Sequence, residues 1–174
     1  MRGVYTLIIY FHRLCSVSTR KNVSVVVKPG LYLYTGSALG YGSTSLEARI
    51  RRHCARRKTE FWHIDRILAC RASQVVAVVF AETSRKAECS LNGALLERRD
   101  FNTVAKGIGS SDCRCDSHFL AAKGTLRSVR QAARSCYRKL GLRPWILEIA
   151  GPSRLRDINV LSERIRTQPS MFRR

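Results

Sequence analysis

Apolar positions follow two rhythms along this chain, and the rhythms sort it into strands and helices. Residues 3–11 read Gly-Val-Tyr-Thr-Leu-Ile-Ile-Tyr-Phe, rich in β-branched and aromatic side chains, and predict a first strand. Polar residues 16–22 predict a turn. Residues 23–27 predict a short strand before the Lys28-Pro29-Gly30 break, and residues 31–34 a strand antiparallel to the first. The unbroken apolar run 75–81 predicts a buried central strand. Helical spacing takes over at 45–57, where Leu46 and Ile50 mark the apolar side. Thr44 precedes Glu47 at capping-box spacing, and Arg56, Arg57 and Lys58 suit the negative C-terminal end. A short helix follows at 61–70. Another spans 85–99, with Ala87, Leu91, Ala94 and Leu95 on one stripe, and leads into a polar loop at 107–118. Residues 125–140 predict a basic helix with Arg127, Arg130, Arg134 and Arg138 at helical spacing. A strand at 145–149 and a last helix at 153–166, capped by Ser153, complete the pattern. There is no internal repeat.

These elements imply an α/β fold of the α+β type, a small, mostly antiparallel central sheet flanked by helices. A composition shift near Lys123 divides the chain into a domain at 1–122 and a basic helical C-terminal extension at 123–174.

Composition narrows the partner more than the fold. The chain has 174 residues, 45% of them hydrophobic, enough for a real core and too many for a disordered tail. No stretch reaches the ~18 apolar residues of a membrane span. The first apolar run is short and ends at His12-Arg13 without a small-residue cleavage site, so it reads as a strand rather than a leader, and the expected location is the cytoplasm. Lys and Arg exceed Asp and Glu by 20 charges. An excess of that size attracts polyanions. Its spread along the whole chain favours nucleic acid, DNA or RNA, over a membrane surface. Oligomeric state is not legible. Seven cysteines, an odd number without a secreted framework, are expected to be mostly reduced and buried.

Two tyrosine motifs stand on the strands: Gly3-Val4-Tyr5 and Tyr34-Thr35-Gly36. The second opens the glycine-rich segment 36–42, which lacks the Gly-Lys-Ser/Thr ending of a nucleotide-binding loop. A backbone phosphate could still rest on the helix N-terminus that follows. Phenols, a bendable backbone and a comb of arginines (Arg51, Arg52, Arg56, Arg57, Arg127, Arg130, Arg134) together suit a phosphodiester target. Each also has a plain structural reading, a core tyrosine or a solvated arginine.

These motifs, with Leu46-Glu47-Ala48-Arg49-Ile50-Arg51-Arg52-His53 behind them, resemble the GIY-YIG nuclease superfamily. Trp62-His63-Ile64-Asp65, Glu88-Cys89, Gly109-Ser110-Ser111-Asp112-Cys113-Arg114-Cys115 and Ser117-His118 resemble one divergent branch of it. The resemblance covers roughly residues 3–121. It implies a metal-dependent endonuclease that hydrolyses phosphodiester bonds in DNA, with repair as the expected role. The alternative is a non-catalytic nucleic-acid-binding module on the same scaffold.

The resemblance implies catalytic roles for Tyr5, Tyr34 and Arg49, and a metal-binding role for Glu88 with Mg²⁺ or Mn²⁺. On this reading Tyr34 is the proton acceptor, Tyr5 a positioning group, and Arg49 a bidentate phosphate contact. His53, four residues after Arg49 on the same helical face, contacts the phosphate or the leaving group, or is a structural histidine. The amide usually found near the metal glutamate has no clear counterpart; Asn92 and Asp112 are the candidates. Cys113, Cys115 and His118, with Cys89, His63 or His53, offer soft ligands for zinc, although the C-x-C spacing is tighter than a usual knuckle. A redox pair or a structural loop are the other readings. Asp65 could orient a nearby histidine. The resemblance leads to the expectation that the Tyr5 and Tyr34 hydroxyls, the Arg49 guanidinium and the Glu88 carboxylate converge on one solvent-open cleft.

Overall fold

A computed structural model describes residues 1–18, 24–55 and 59–149. Eight strands and four α-helices follow in the order β1 (Gly3–Phe11), β2 (Cys15–Ser18), β3 (Ser24–Val27), β4 (Gly30–Ala38), α1 (Leu46–Cys54), α2 (His63–Ala69), β5 (Ser73–Glu82), α3 (Glu88–Leu96), β6 (Phe101–Thr103), β7 (Phe119–Ala122), α4 (Leu126–Lys139) and β8 (Trp145–Glu148). Six strands form one antiparallel sheet in the order β6-β7-β4-β1-β5-β8, and β2 and β3 form a separate hairpin. The α+β architecture expected from the sequence is the observed one.

The central strands are apolar on both sides because both faces of the sheet are covered. Tyr5, Leu7, Ile9 and Phe11 of β1 point toward α1, α2 and the β2–β3 hairpin, where Leu46, Ile50, Ile64 and Ile67 close one core. Val4 and Ile8 point the other way, into a second core with Leu91 and Leu95 of α3 and Val129, Ala133 and Tyr137 of α4. Tyr137 ties that layer to the sheet. Its hydroxyl lies 2.8 Å from the Val79 carbonyl, to which it donates, and 3.1 Å from Thr6 Oγ1.

Several expectations need correction. The expected turn at 16–22 begins as strand β2, which pairs with β3. Strand β4 does not stop at Tyr34 but continues through Gly36 to Ala38, since its pairing with β1 runs on to Gly3. Ser45, not Thr44, caps α1, its hydroxyl accepting from the Ala48 amide; Thr44 instead closes a 3-10 turn on the Tyr41 carbonyl. Glu47 pairs with the Met1 amino group. That helix end is therefore occupied: the Met1 carbonyl accepts from the Leu46 amide, leaving little there for a phosphate. Helix α1 ends at Cys54, and Arg56, Arg57 and Lys58 lie outside the described residues, as does the expected helix at 153–166. Helix α3 starts at Glu88 rather than 85. Strands β6 and β7 were not anticipated.

The division at residue 122 does not hold for residues 126–148. Helix α4 buries Val129, Ala132, Ala133, Cys136 and Tyr137 in the second core, and β8 extends the sheet beside β5. Charge on the outer face of α4 disguised an inner face that belongs to the domain. Most of the cysteines are reduced, as expected, but one pair is not and few are buried. Cys15 and Cys70 are joined in a disulfide, and of the five free cysteines only Cys136 is buried. Among the described residues no helix is long and apolar enough to cross a membrane.

Candidate functional site

The pairing of β1 with β4 explains why the two motifs have their glycines. Tyr5 stands opposite Gly36, and Tyr34 opposite Leu7, so both phenols emerge on the same face as diagonal neighbours. The Tyr5 ring lies over Gly36. A Cβ there would come within 2.7 Å of the Tyr5 hydroxyl. Gly3 is pinned in the same way, since its Cβ would meet the Ala81 carbonyl oxygen at 2.3 Å. Gly109 sits against the Tyr34 ring with φ +72°, a conformation glycine favours and any Cβ would strain. We predict that Gly36→Ala displaces the Tyr5 hydroxyl and lowers stability by about 1–3 kcal/mol through overpacking. Thermal melts and the Tyr5 ring resonances measure both effects.

Around these rings α1 and the start of α2 bring five more side chains. The Tyr5 hydroxyl lies 2.8 Å from His53 Nε2, and the Tyr34 ring meets the His53 ring edge-on. On its other side His53 Nδ1 faces Asp65 Oδ1 at 3.7 Å. Asp65 is wholly buried, and its Oδ2 accepts from Arg52 at 2.8 Å and from the Phe61 and Trp62 amides at 3.0 Å each. Burial opposes its ionisation. The facing His53 imidazole, the Trp62 amide, the Arg52 guanidinium and the Phe61 amide together outweigh burial and hold the carboxyl well below the usual carboxylate range. The Arg49 and Arg52 guanidiniums both lie over the Trp62 ring, 4.6 and 4.8 Å from its centroid.

Neither phenol is open to solvent, contrary to the expected solvent-open cleft. Tyr5 is 2% exposed and Tyr34 7%. Burial pushes the Tyr5 phenol up to about 12, against the pull of the neighbouring Arg49 guanidinium. Burial and then the neighbouring Tyr5 raise Tyr34 further, again opposed by Arg49. The more accessible members are Arg49 and Glu88, both half-buried. Glu88 sits on the first turn of α3, where its charge acts on Tyr5, His118 and Cys115. Its Oε2 and the Arg49 Nε are buried atoms without a hydrogen-bond partner among the described residues.

A second group adjoins the first through Glu88. Cys89, the next residue, joins Cys113, Cys115 and His118 of the polar loop, and their four ligand atoms all lie within 4.8 Å of one another. The loop is held there by the Asn92 side-chain amide, which donates to the Ser117 carbonyl at 2.8 Å, and by the Thr35 amide, which donates to the His118 carbonyl. Burial lowers His118, partly offset by Glu88 and Asp112, and so favours the neutral imidazole that a metal needs. Burial, then the neighbouring thiols, push Cys89 up to about 12. Zinc–sulfur bonds of about 2.3 Å set ligand atoms roughly 3.7 Å apart, so small rotations would close this group on an ion. This Cys3His group could bind a metal.

The remaining predicted residues are placed as follows. Asp112 is exposed, and its charge reaches Tyr34 and His118. His63 opens α2 and joins neither group; the histidine that Asp65 faces is His53. Arg52 is committed to Asp65 and the Thr59 carbonyl rather than offered to phosphate, whereas Arg51 is exposed. Arg127, Arg130 and Arg134 are on α4, across the sheet from the phenols, and Arg130 pairs with Glu148. These α4 arginines do not extend the site. Asn92, the amide candidate one turn after Glu88, is buried with its Oδ1 lacking a partner among the described residues. The role of Trp62 was missed; its contact with two arginines of a neighbouring helix left no local signal.

No curated protein and no solved structure matches the chain. The family described as "Domain of unknown function DUF123" matches residues 4–142. That span takes in both motif tyrosines, Glu88, the cysteine–histidine loop and α4, and the chain belongs to the DUF123 family.

Proposed function

We propose that the protein is a metal-dependent endonuclease of GIY-YIG type, acting on phosphodiester bonds in DNA. The observation that carries this reading is convergence. Tyr5, Tyr34, Arg49 and His53 come from three elements to one place that the charge of Glu88 on α3 reaches, and the two accessible members are a lone carboxylate and a cation with an unused donor. Mg²⁺ or Mn²⁺ fits an oxygen ligand of that kind and, when bound, would supply charge to stabilise the leaving oxygen. Arg49 would hold the phosphate from the open side, and the phenols would form the floor. A phenol raised to about 12 takes up a proton readily once ionised but is rarely ionised near neutrality. The cation beside it is therefore part of the chemistry, and Tyr5, which touches both Arg49 and His53, suits proton transfer better than Tyr34. The excess of 20 positive charges suits a polyanionic substrate. The cytoplasmic location and a role in repair belong to the same proposal.

The test is conversion of supercoiled plasmid to nicked circle by the purified chain. The expected result is nicking with Mg²⁺ or Mn²⁺ and none with chelator. The burial of both phenols favours a second reading, a nucleic-acid-binding module without turnover. It predicts binding that weakens steeply with salt and no nicking with any divalent ion.

The Cys3His group is proposed to hold zinc in a structural role, tying the loop to α3 beside Glu88. We expect one zinc per chain by elemental analysis, lost in Cys113→Ser. Loss of the metal should lower the melting temperature, because structural zinc contributes directly to folding.

A further inference from the structure

We propose that Asp65 is a positioning residue that fixes the tautomer of His53, so that Nδ1 carries the proton and Nε2 accepts from the Tyr5 hydroxyl. The inference deepens the proposed hydrolytic function, on which its activity arm rests.

The argument is one of lone pairs. His53 is buried between two groups, the Tyr5 hydroxyl 2.8 Å from Nε2 and the Asp65 carboxylate 3.7 Å from Nδ1. A neutral imidazole has one N–H and one lone pair. If Nδ1 held the lone pair, it would point at a carboxylate oxygen in a buried setting, which is repulsive. If Nδ1 holds the proton, the dipole meets the charge favourably, and Nε2 is left to accept. Asp65 has little freedom to do otherwise. Its Oδ2 already takes three donors, from Arg52, Phe61 and Trp62, and this fixes the carboxylate plane and leaves Oδ1 for His53. Oδ1 has no hydrogen-bond donor among the described residues, and 3.7 Å is a charge contact that a small ring rotation would tighten.

With that tautomer the Tyr5 hydroxyl donates. The step it allows moves one proton and no net electrons. The Tyr5 O–H bond breaks, the electron pair stays on the phenolate oxygen, and an N–H bond forms at Nε2. The imidazolium is then stabilised by Asp65, and the phenolate can take a proton from water, leaving hydroxide.

The experiment is ¹⁵N-edited NMR of the histidine side chains in the full chain near neutral pH, with His53 assigned by comparison with His53→Gln. In the wild type we expect His53 as the Nδ1–H tautomer. Tyr5→Phe should shift the Nε2 resonance while leaving the tautomer in place. In Asp65→Asn the three donors at Oδ2 hold the amide oxygen where it is and turn the NH₂ toward His53. Nδ1 must then accept, so the tautomer should invert to Nε2–H. A carboxylate that serves only to cap α2 and pair with Arg52 would leave the tautomer unchanged. The inference is overturned by a wild-type ring protonated at Nε2, alone or together with Nδ1, or by an unchanged tautomer in folded Asp65→Asn. If Asp65→Asn fails to fold, the wild-type and Tyr5→Phe spectra decide. In the plasmid assay Asp65→Asn should lower nicking about 100-fold. Absence of nicking in the wild type would sink the hydrolytic reading alone, and nicking with the wrong tautomer would sink this inference alone.

Discussion

Glu88→Gln should lower Mg²⁺-dependent nicking about 1000-fold while leaving the protein folded, a loss of the size seen when one preorganised charge is removed from a reacting centre. The substitution keeps the shape of a half-buried side chain on the first turn of α3 and removes only its charge and one metal-ligand oxygen. Because it removes a negative charge from a strongly basic protein, DNA binding at matched salt should hold or strengthen slightly. Arg49→Lys is the companion. It keeps the charge but loses the planar fork and the stacking on Trp62, so nicking should fall about 100-fold. The combination of weakened cleavage and intact binding separates a catalytic role from a merely cationic surface. Wild-type-like nicking by both variants would remove Glu88 and Arg49 from the chemistry.

Asp65→Ala should be the most damaging single change to stability, costing about 3–5 kcal/mol, since it removes the buried acceptor of the half-buried Arg52 guanidinium and of two backbone amides. For a chain of this size, each kcal/mol lowers the melting temperature by roughly 2–4 °C, so the drop should be plain in a thermal scan. The effect carries a pH signature. The folded-state carboxyl is held below its unfolded value, so its stabilisation is fully present above roughly pH 4 and is lost as pH falls through the folded value. The gap in stability between wild type and Asp65→Ala should therefore be constant from neutral pH to about pH 5 and narrow below pH 4. Melts across that range measure it, and a gap that stays constant into strong acid would contradict the assignment.

Much of the fold could be read from the chain, for a physical reason. Strands β1 and β5 lie in the middle of the sheet with both faces covered, so nearly every residue is apolar and the run is unmistakable. Strands β6 and β7 could not be read. They are short, and Phe119–Ala122 has no alternation to separate it from the loop before it. Helix α4 was legible as a helix but not as part of the domain, because arginines on its outer face dominated the composition. The tyrosine motifs carried real geometric information. A glycine opposite Tyr5 and another against Tyr34 are the space those rings need. What the motifs could not carry was depth, since burial of the phenols depends on how α1 and α2 close over the sheet. The partnership of Asp65 with His53 was hidden for the same reason, as it is made by two helices meeting. Cys89 completing a four-ligand group was within reach of sequence reasoning as one option among three, and the fold of the loop selects it.

The central claim is spatial: an ion at Glu88 and a phosphate at Arg49 share the face that carries Tyr5 and Tyr34. Crystals soaked with Mn²⁺ and a short, cleavage-resistant phosphorothioate oligonucleotide would test it by anomalous scattering. The account predicts a manganese peak about 2.1 Å from a Glu88 carboxylate oxygen, with a backbone phosphate between the ion and the Arg49 guanidinium. Manganese found only at Cys89, Cys113, Cys115 and His118, or a phosphate bound away from Arg49, would contradict it.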